Sequence, residues 1–392
     1  MSQIVPYFQP IVSLQTLQIY GYEALGRRLR DGRPESLGPF FEDSTVSLEE
    51  HLGVDRILRE RAIETFSLHK ETASLFINLK PSWIYSQYNG NGSLYTLELL
   101  QQHHLPPERI VIEITEEEFS GDLGRLAEIV NIYRDAGCTI AVDDIGSGFS
   151  NLDRVALIQP RIMKMDLTML KKAAIHDGYK ALMRSFSTIS TQIGASLLVE
   201  GIETKADLQY SLEVGARYAQ GFLFSRAEAD LQPSNRYETM LLEEIRLFHN
   251  KNYEKFEYLT RTEQLWNAKL ATLIDYAKEV SDPDERVKRL ILMLPAPCMR
   301  IYACRDDGFQ VSSNFVRDTS GEWTQDPSFR GTNWSWRPYF ISNILKMKLH
   351  NQGTMSHEYV DLDSANTICT FSYPTGDGMY LFMDLPLTES AV

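Results

Sequence analysis

Apolar runs ending in carboxylates recur between residues 5 and 224, and they limit the possible folds more than any other feature of the chain. The runs are VPYFQPIV (5–12), YGYEALGR (20–27), SLFINLK (74–80), IVIEIT (110–115), TIAVDDI (139–145), RIMKMD (161–166), SLLVEGIE (196–203) and YAQGFLF (218–224). At or near their C-terminal ends stand Glu23, Asn78, Glu113, Asp143, Asp144, Lys164, Asp166, Glu200, Glu203 and Gln220. Strands buried on both faces read as continuous apolar runs, and helix-length polar segments between them give the rhythm of a parallel sheet. Eight such runs fit an α/β fold of the (β/α)8 barrel type, whose chemistry sits at the C-terminal ends of the strands. Burying so many carboxylates unpaired is prohibitive. Divalent cations at their meeting point remove that penalty and supply catalytic power.

Amphipathic patterns at 48–68, 94–103, 122–136, 178–193 and 204–214 predict the helices between the runs. Beyond Phe224 the composition changes. Residues 234–282 contain neither glycine nor proline, and apolar residues recur there at three- and four-residue steps, as in a helix with one apolar stripe. The cluster His249–Asn252 leaves one helix or two open. From about residue 283 the pattern is strand-rich. Asp307-Gly308 reads as a hairpin turn, a second strand pair surrounds Gly376-Asp377-Gly378, and WSWRPYFISNILKMK offers an aromatic cluster and a short helix. The expected organisation is a barrel over 1–230, a helical connector over 231–282 and an α+β domain over 283–392.

The net charge of −14 argues against a nucleic acid polymer as partner, although a small phosphorylated ligand held through metal ions remains compatible with it. No apolar stretch reaches the length of a membrane span, and the first residues lack the pattern of a signal peptide. The four cysteines form no CxxC, and with the absent signal pattern they imply reduced thiols and a cytoplasmic protein.

The candidate ligands are all oxygen donors, which suits magnesium, manganese or calcium rather than zinc. Adjacent Asp143 and Asp144 point different ways from a strand end, so one can bridge two ions while the other holds a single ion. Two neighbouring ions are a known arrangement for splitting phosphodiesters. Lys164, inside an apolar run, reads either as an ion-pair partner of Asp166 or another carboxylate, or as a positioner or base for the attacking water. Gly146-Ser147-Gly148 after the Asp pair reads as an active-site loop.

These residues resemble the EAL-domain phosphodiesterases of cyclic di-GMP. Glu23-Ala24-Leu25 is the signature tripeptide, and FQPIV (8–12), INLKP (77–81), EITE (113–116), DDIGSG (143–148), KMD (164–166), EGIET (200–204) and QGFLF (220–224) follow in order and spacing. The resemblance covers about residues 1–230 and implies a TIM-like barrel with its first strand antiparallel. It implies Glu23, Asn78, Glu113 and Asp143 as metal ligands, with Asp144 on a second ion. Lys164 and Glu200 would hold the nucleophilic water, Gln9, Arg27, Asp166, Glu203 and Gln220 would touch substrate, and Glu116 would anchor the loop after the Asp pair. Two magnesium or manganese ions are implied as cofactors, with calcium inhibitory. The implied reaction converts cyclic di-GMP to linear 5′-pGpG. The alternative is a silent cyclic di-GMP receptor that signals through its C-terminal domain, and barrel plus metal alone would also admit an enolase-like lyase. Ile145, Ser147 and Lys80 depart from the usual family residues without removing a ligand. NWSWRPYF and TFSYP make the tail similar to the C-terminal domain of YkuI-type EAL proteins, a PAS- or Cache-like fold, with an unknown small ligand. The apolar stripe after residue 233 needs a partner, which either the tail or a second protomer can supply, and a homodimer is the expected form.

Overall fold

The computed structural model describes residues 3–386 apart from 70–71, 89–93, 116–120, 144, 146–151, 174–175, 278, 295–296, 362–363 and 365. It comprises two compact units, Met1–Phe248 and His249–Val392. Asp144, Glu116 and the glycine-serine loop lie outside the described residues.

The first unit is a closed barrel. Its strands are β1 (Gln3–Ser13), β2 (Ile19–Arg30), β4 (Ser74–Leu79), β5 (Ile110–Ile114), β6 (Thr139–Val142), β7 (Ile162–Met165), β8 (Ser196–Val199) and β9 (Tyr218–Gln220), one for each apolar run. Strands β2 and β4 to β9 pair in parallel, and β1 closes the barrel antiparallel to both β9 and β2. A short strand the apolar pattern did not mark, β3 (Arg33–Ser36), hairpins back on β2. Its signal was the Asp31-Gly32 pair, whose φ angles of 50° and 76° suit a two-residue turn.

The helices start where local chemistry caps them. Leu48–Leu68 opens with a capping box between Ser47 and Glu50, Leu123–Asp135 with Asp122, and Lys205–Glu213 with a box between Thr204 and Asp207. Their apolar faces cover the outside of the barrel, where Phe66, Leu126, Val130 and Leu208 are buried among strand residues such as Leu75, Ile112 and Val199.

Inside the barrel, a separate layer forms from Ile11, Phe76, Val111, Ala141, Ile162, Leu198 and Tyr218, with Tyr20 against it. Tyr20 and Tyr218 stack with ring centroids 4.3 Å apart. Gly21 makes room for the layer. A Cβ there would lie 2.5 Å from the Ser74 carbonyl oxygen and 2.8 Å from the Phe76 ring. This plug sets the floor of the site.

The second unit is an antiparallel sheet of β10 (Arg300–Arg305), β11 (Asn314–Arg317), β12 (Trp323–Asp326), β13 (Thr354–Met355), β14 (Tyr359–Val360), β15 (Thr367–Pro374) and β16 (Met379–Pro386). The strand order is β12-β11-β10-β16-β15-β13, with β14 also on β15. Alternation sorts its side chains. Ile301, Ala303, Leu381 and Met383 face a cluster with Trp266, Leu270, Val287 and Leu290. Tyr302, Cys304, Tyr380 and Phe382 face Phe340, Ile344 and Met347 of the helix Phe340–His350. The glycine- and proline-free segment is a single helix, Glu238–Ala277. Leu241 is buried in the core of the first unit, and Trp266, Leu270, Ile274 and Ala277 in that of the second.

Candidate active site

The period of two along a strand builds the site. Two positions beyond each inward apolar residue stands an inward polar one: Phe76 then Asn78, Val111 then Glu113, Ala141 then Asp143, Ile162 then Lys164, Leu198 then Glu200, Tyr218 then Gln220. Gly21 leads in the same way to Glu23. On antiparallel β1 the order reverses, so Gln9 precedes Ile11. The result is a polar ring one layer above the apolar plug, at the C-terminal ends of the parallel strands. Register places Asn78 directly beside Glu113 and Gln9 opposite Glu23.

One half of the ring is a hydrogen-bonded chain. Asn78 Nδ2 donates to Glu23 Oε1 and Gln220 Nε2 to Glu23 Oε2, each at 2.7 Å. Gln220 Nε2 also reaches Gln9 Oε1 at 3.4 Å, and Gln9 Nε2 donates to the Ser225 carbonyl. Gly221 fits this edge closely, since a Cβ there would lie 2.1 Å from the Ile202 carbonyl oxygen.

The other half is ionic. Lys164 Nζ lies 2.7 Å from Glu113 Oε1, 2.5 Å from Glu200 Oε1 and 3.3 Å from Asp143 Oδ1. Lys164 is 1% exposed and Glu113 0%. Burial works against the Lys164 charge, but Asp143, Glu113 and Glu23 outweigh it and raise the ammonium above the ordinary lysine range. Burial pushes the Glu113 carboxyl well above the carboxylate range; Lys164 opposes the shift, while Glu23 and Asp143 add to it. Glu113 Oε2 is buried without a hydrogen bond among the described residues.

Divalent cations suit such a place on chemical grounds. The donors are carboxylates and one amide oxygen, their charge exceeds what Lys164 offsets, and Glu113 retains an oxygen without a donor. Among the described residues, no three His, Cys, Asp or Glu side chains form a ready-made metal cage. The lysine and the two amides hold the carboxylates instead.

Glu23, Arg27, Asn78 and Asp143 line a cavity of about 390 Å³. Its lining also includes Phe41, Asp55, Arg59 and Trp83, which no sequence motif marked as site residues. Arg59 pairs with Asp55 and donates to Thr96 Oγ1 at 2.9 Å. Lys80 Nζ, also in that lining, donates to the Phe41 carbonyl at 3.0 Å and lies 4.9 Å from the Trp83 ring centroid. The Arg27 guanidinium stacks 5.9 Å from the Tyr7 ring, and burial lowers its pKa. Asp55 and Arg59 carried an i,i+4 signal, but helix spacing alone does not show which helix faces the cleft.

Two candidate residues stand apart from the ring. Asp166 accepts from the Thr168 N–H and so caps the helix Leu167–Ala173. Glu203 is exposed and pairs with Lys171 at 3.1 Å.

The chain is similar to known proteins along almost its whole length. The family model of the EAL domain matches residues 2–227, and that of the EAL-domain associated signalling protein domain matches residues 233–389. The uncharacterized EAL-domain containing protein YkuI of Bacillus subtilis (strain 168) is 36% identical over 389 residues, covering 98% of this chain and 95% of YkuI. The crystal structure of B. subtilis YkuI in complex with substrate c-di-GMP and calcium superposes with a TM-score of 0.90 at 34% identity, covering 98% of this chain and 96% of that one. The cyclic di-GMP phosphodiesterase RocR of Pseudomonas aeruginosa is 30% identical over 225 residues, 56% of each chain. The motifs, the barrel with one antiparallel strand and these matches agree: the chain belongs to the EAL-domain family.

Proposed function

We propose that the chain hydrolyses one phosphodiester of cyclic di-GMP to linear 5′-pGpG in a reaction that depends on divalent cations. The observation that carries this is the polar ring, in which Glu23, Asn78, Glu113, Asp143, Lys164 and Glu200 converge above the apolar plug. Relatives named as cyclic di-GMP phosphodiesterases, and YkuI crystallised with c-di-GMP, support the choice of substrate.

Glu23, Asn78, Glu113 and Asp143 are the proposed ligands of a first magnesium or manganese ion, and Asp144 completes a second. The bound cations would offset phosphate charge and lower the pKa of the attacking water. Lys164, held as an ammonium, acts as a hydrogen-bond donor rather than a base. It fixes Glu113 and Asp143 and orients water together with Glu200. A product that keeps its 5′-phosphate requires cleavage of the bond between phosphorus and the 3′-oxygen, which leaves with a proton. Arg27, Gln9, Gln220, Asp166 and Glu203 are proposed to hold the ligand, with Glu116 anchoring the loop. Calcium, with longer and less directional bonds, is the proposed inhibitory ion.

The test is incubation of the purified chain with cyclic di-GMP and magnesium or manganese, followed by chromatography. Accumulation of pGpG, abolished by a chelator, is expected. Saturable binding without pGpG in either metal would overturn hydrolysis in favour of a receptor.

A further inference from the structure

We propose that a cavity beside Arg337 in the second unit is a binding site for a small organic carboxylate. The cavity, of about 260 Å³, lies between the Arg337–Tyr339 segment, the first turns of the helix Phe340–His350 and the chain around Ser356–Tyr359. That volume is just below the usual range of about 300–1,000 Å³ for small-molecule sites, so it suits only a small ligand.

Its cations lack partners. The Arg337 guanidinium sits 4.6 Å from the Trp336 ring centroid, 5.4 Å from Tyr359 and 5.6 Å from Trp334. It forms no ion pair among the described residues. Neither does Lys346 on the same wall. The carboxylates that line cavities together with Arg337 are committed elsewhere. Glu358, also lining the cavity, pairs with Lys255. Asp384 accepts from Arg300 Nε at 2.6 Å and from Thr370 Oγ1 at 2.7 Å, and Asp361 pairs with the same Arg300. In a chain of net charge −14, two cations without an ion-pair partner among the described residues on one concave wall stand out.

Aromatic stacking holds the arginine while leaving its hydrogen-bonding edge unspent. A guanidinium fork matches a carboxylate with two parallel hydrogen bonds. The remaining wall is mixed: Met355, Pro338 and the stacked rings of Tyr339 and Tyr359, whose centroids are 5.4 Å apart, give it an apolar part, and Ser342, Asn343, Ser356 and His357 a polar one. An anionic head against Arg337 and Lys346 and a hydrocarbon or aromatic body against the tyrosines is the chemistry this wall accepts.

The test is calorimetric titration of the full chain with benzoate and with butyrate, using benzamide as the neutral analogue and inorganic phosphate as the other anion. Saturable binding of at least one carboxylate is expected, without binding of benzamide. Arg337→Gln should weaken it by about tenfold or more, and Lys346→Gln by about threefold. Lys346 is exposed, so that variant keeps the test sound if Arg337→Gln fails to fold. Absence of saturable binding by both carboxylates, equal binding of phosphate or benzamide, or unchanged affinity in Lys346→Gln would overturn the proposal.

Discussion

Replacing Lys164 by methionine tests the ionic half of the ring. Methionine keeps an unbranched chain of similar length, so the change removes charge more than volume. The ammonium touches three carboxylates at 2.5, 2.7 and 3.3 Å, and Glu113 has no exposed surface. Breaking a buried ion pair from one side costs about 3–5 kcal/mol. A second route gives a similar figure. A ring that loses one positive charge takes up about one extra proton, and holding a glutamate protonated at pH 7 costs up to about 3.5–4 kcal/mol relative to its unfolded value. For a unit of this size that is a fall in Tm of roughly 6–20 °C.

The pH dependence has a definite sign. Burial raises the Glu113 carboxyl, and loss of Lys164 raises it further. A raised carboxyl favours the folded state below the unfolded pKa, and that benefit is lost as pH rises through the folded pKa. The deficit of the variant is therefore largest near pH 7 and shrinks to about 1 kcal/mol at pH 5. Thermal and urea melts of parent and variant at both pH values, in chelator, measure this. Equal Tm values at pH 7, or a deficit as large at pH 5, would refute the reasoning. In turnover assays the same variant should lose hydrolysis while cyclic di-GMP affinity changes by less than about tenfold, since the proposed role of the lysine is at the water.

Gly21→Ala should destabilise the barrel by about 1–3 kcal/mol, read as a lower urea midpoint, because its Cβ would press on the Ser74 backbone oxygen. Lys80→Ser should raise KM for cyclic di-GMP severalfold with little change in kcat, because Lys80 lines the cavity away from Glu113 and Lys164; a fall in kcat with unchanged KM would contradict that placement. In the second unit, burial of Asp284 is outweighed by hydrogen bonds from the Ser313 N–H and hydroxyl and from Arg330, and its pKa falls below the usual range. Its contribution is present above about pH 4 and lost as pH falls further, so Asp284→Asn should lower stability at pH 7 and flatten the acid limb of the melt.

The strands and their polar ends were legible because a barrel interior has a strict period of two. One apolar floor residue and one polar ring residue two positions apart leave their trace in each run but YGYEALGR, where Gly21 takes the floor position, and in reversed order on β1. The turn chemistry of the second unit was equally local: Asp307-Gly308 turns the chain between Cys304 and Gln310, and the segment around Gly378 between β15 and β16. Pairing was not legible. Lys164 stands two residues from Asp166 in sequence, yet β7 ends at Met165 and Asp166 turns to cap the next helix. The lysine meets Glu113, Asp143 and Glu200, which closure of the barrel brings to it from three other strands. Gln9 and Gln220, 211 positions apart, touch for the same reason. The helix residues that line the cavity depend on which turn of Leu48–Leu68 faces inward, and Arg337 is left without an ion pair among the described residues while Arg300 takes Asp361 and Asp384. Sequence determined which side chains face inward on each strand. Only the folded chain decided which of them meet and which charges remain unpaired, because both depend on distances closed between segments far apart in sequence.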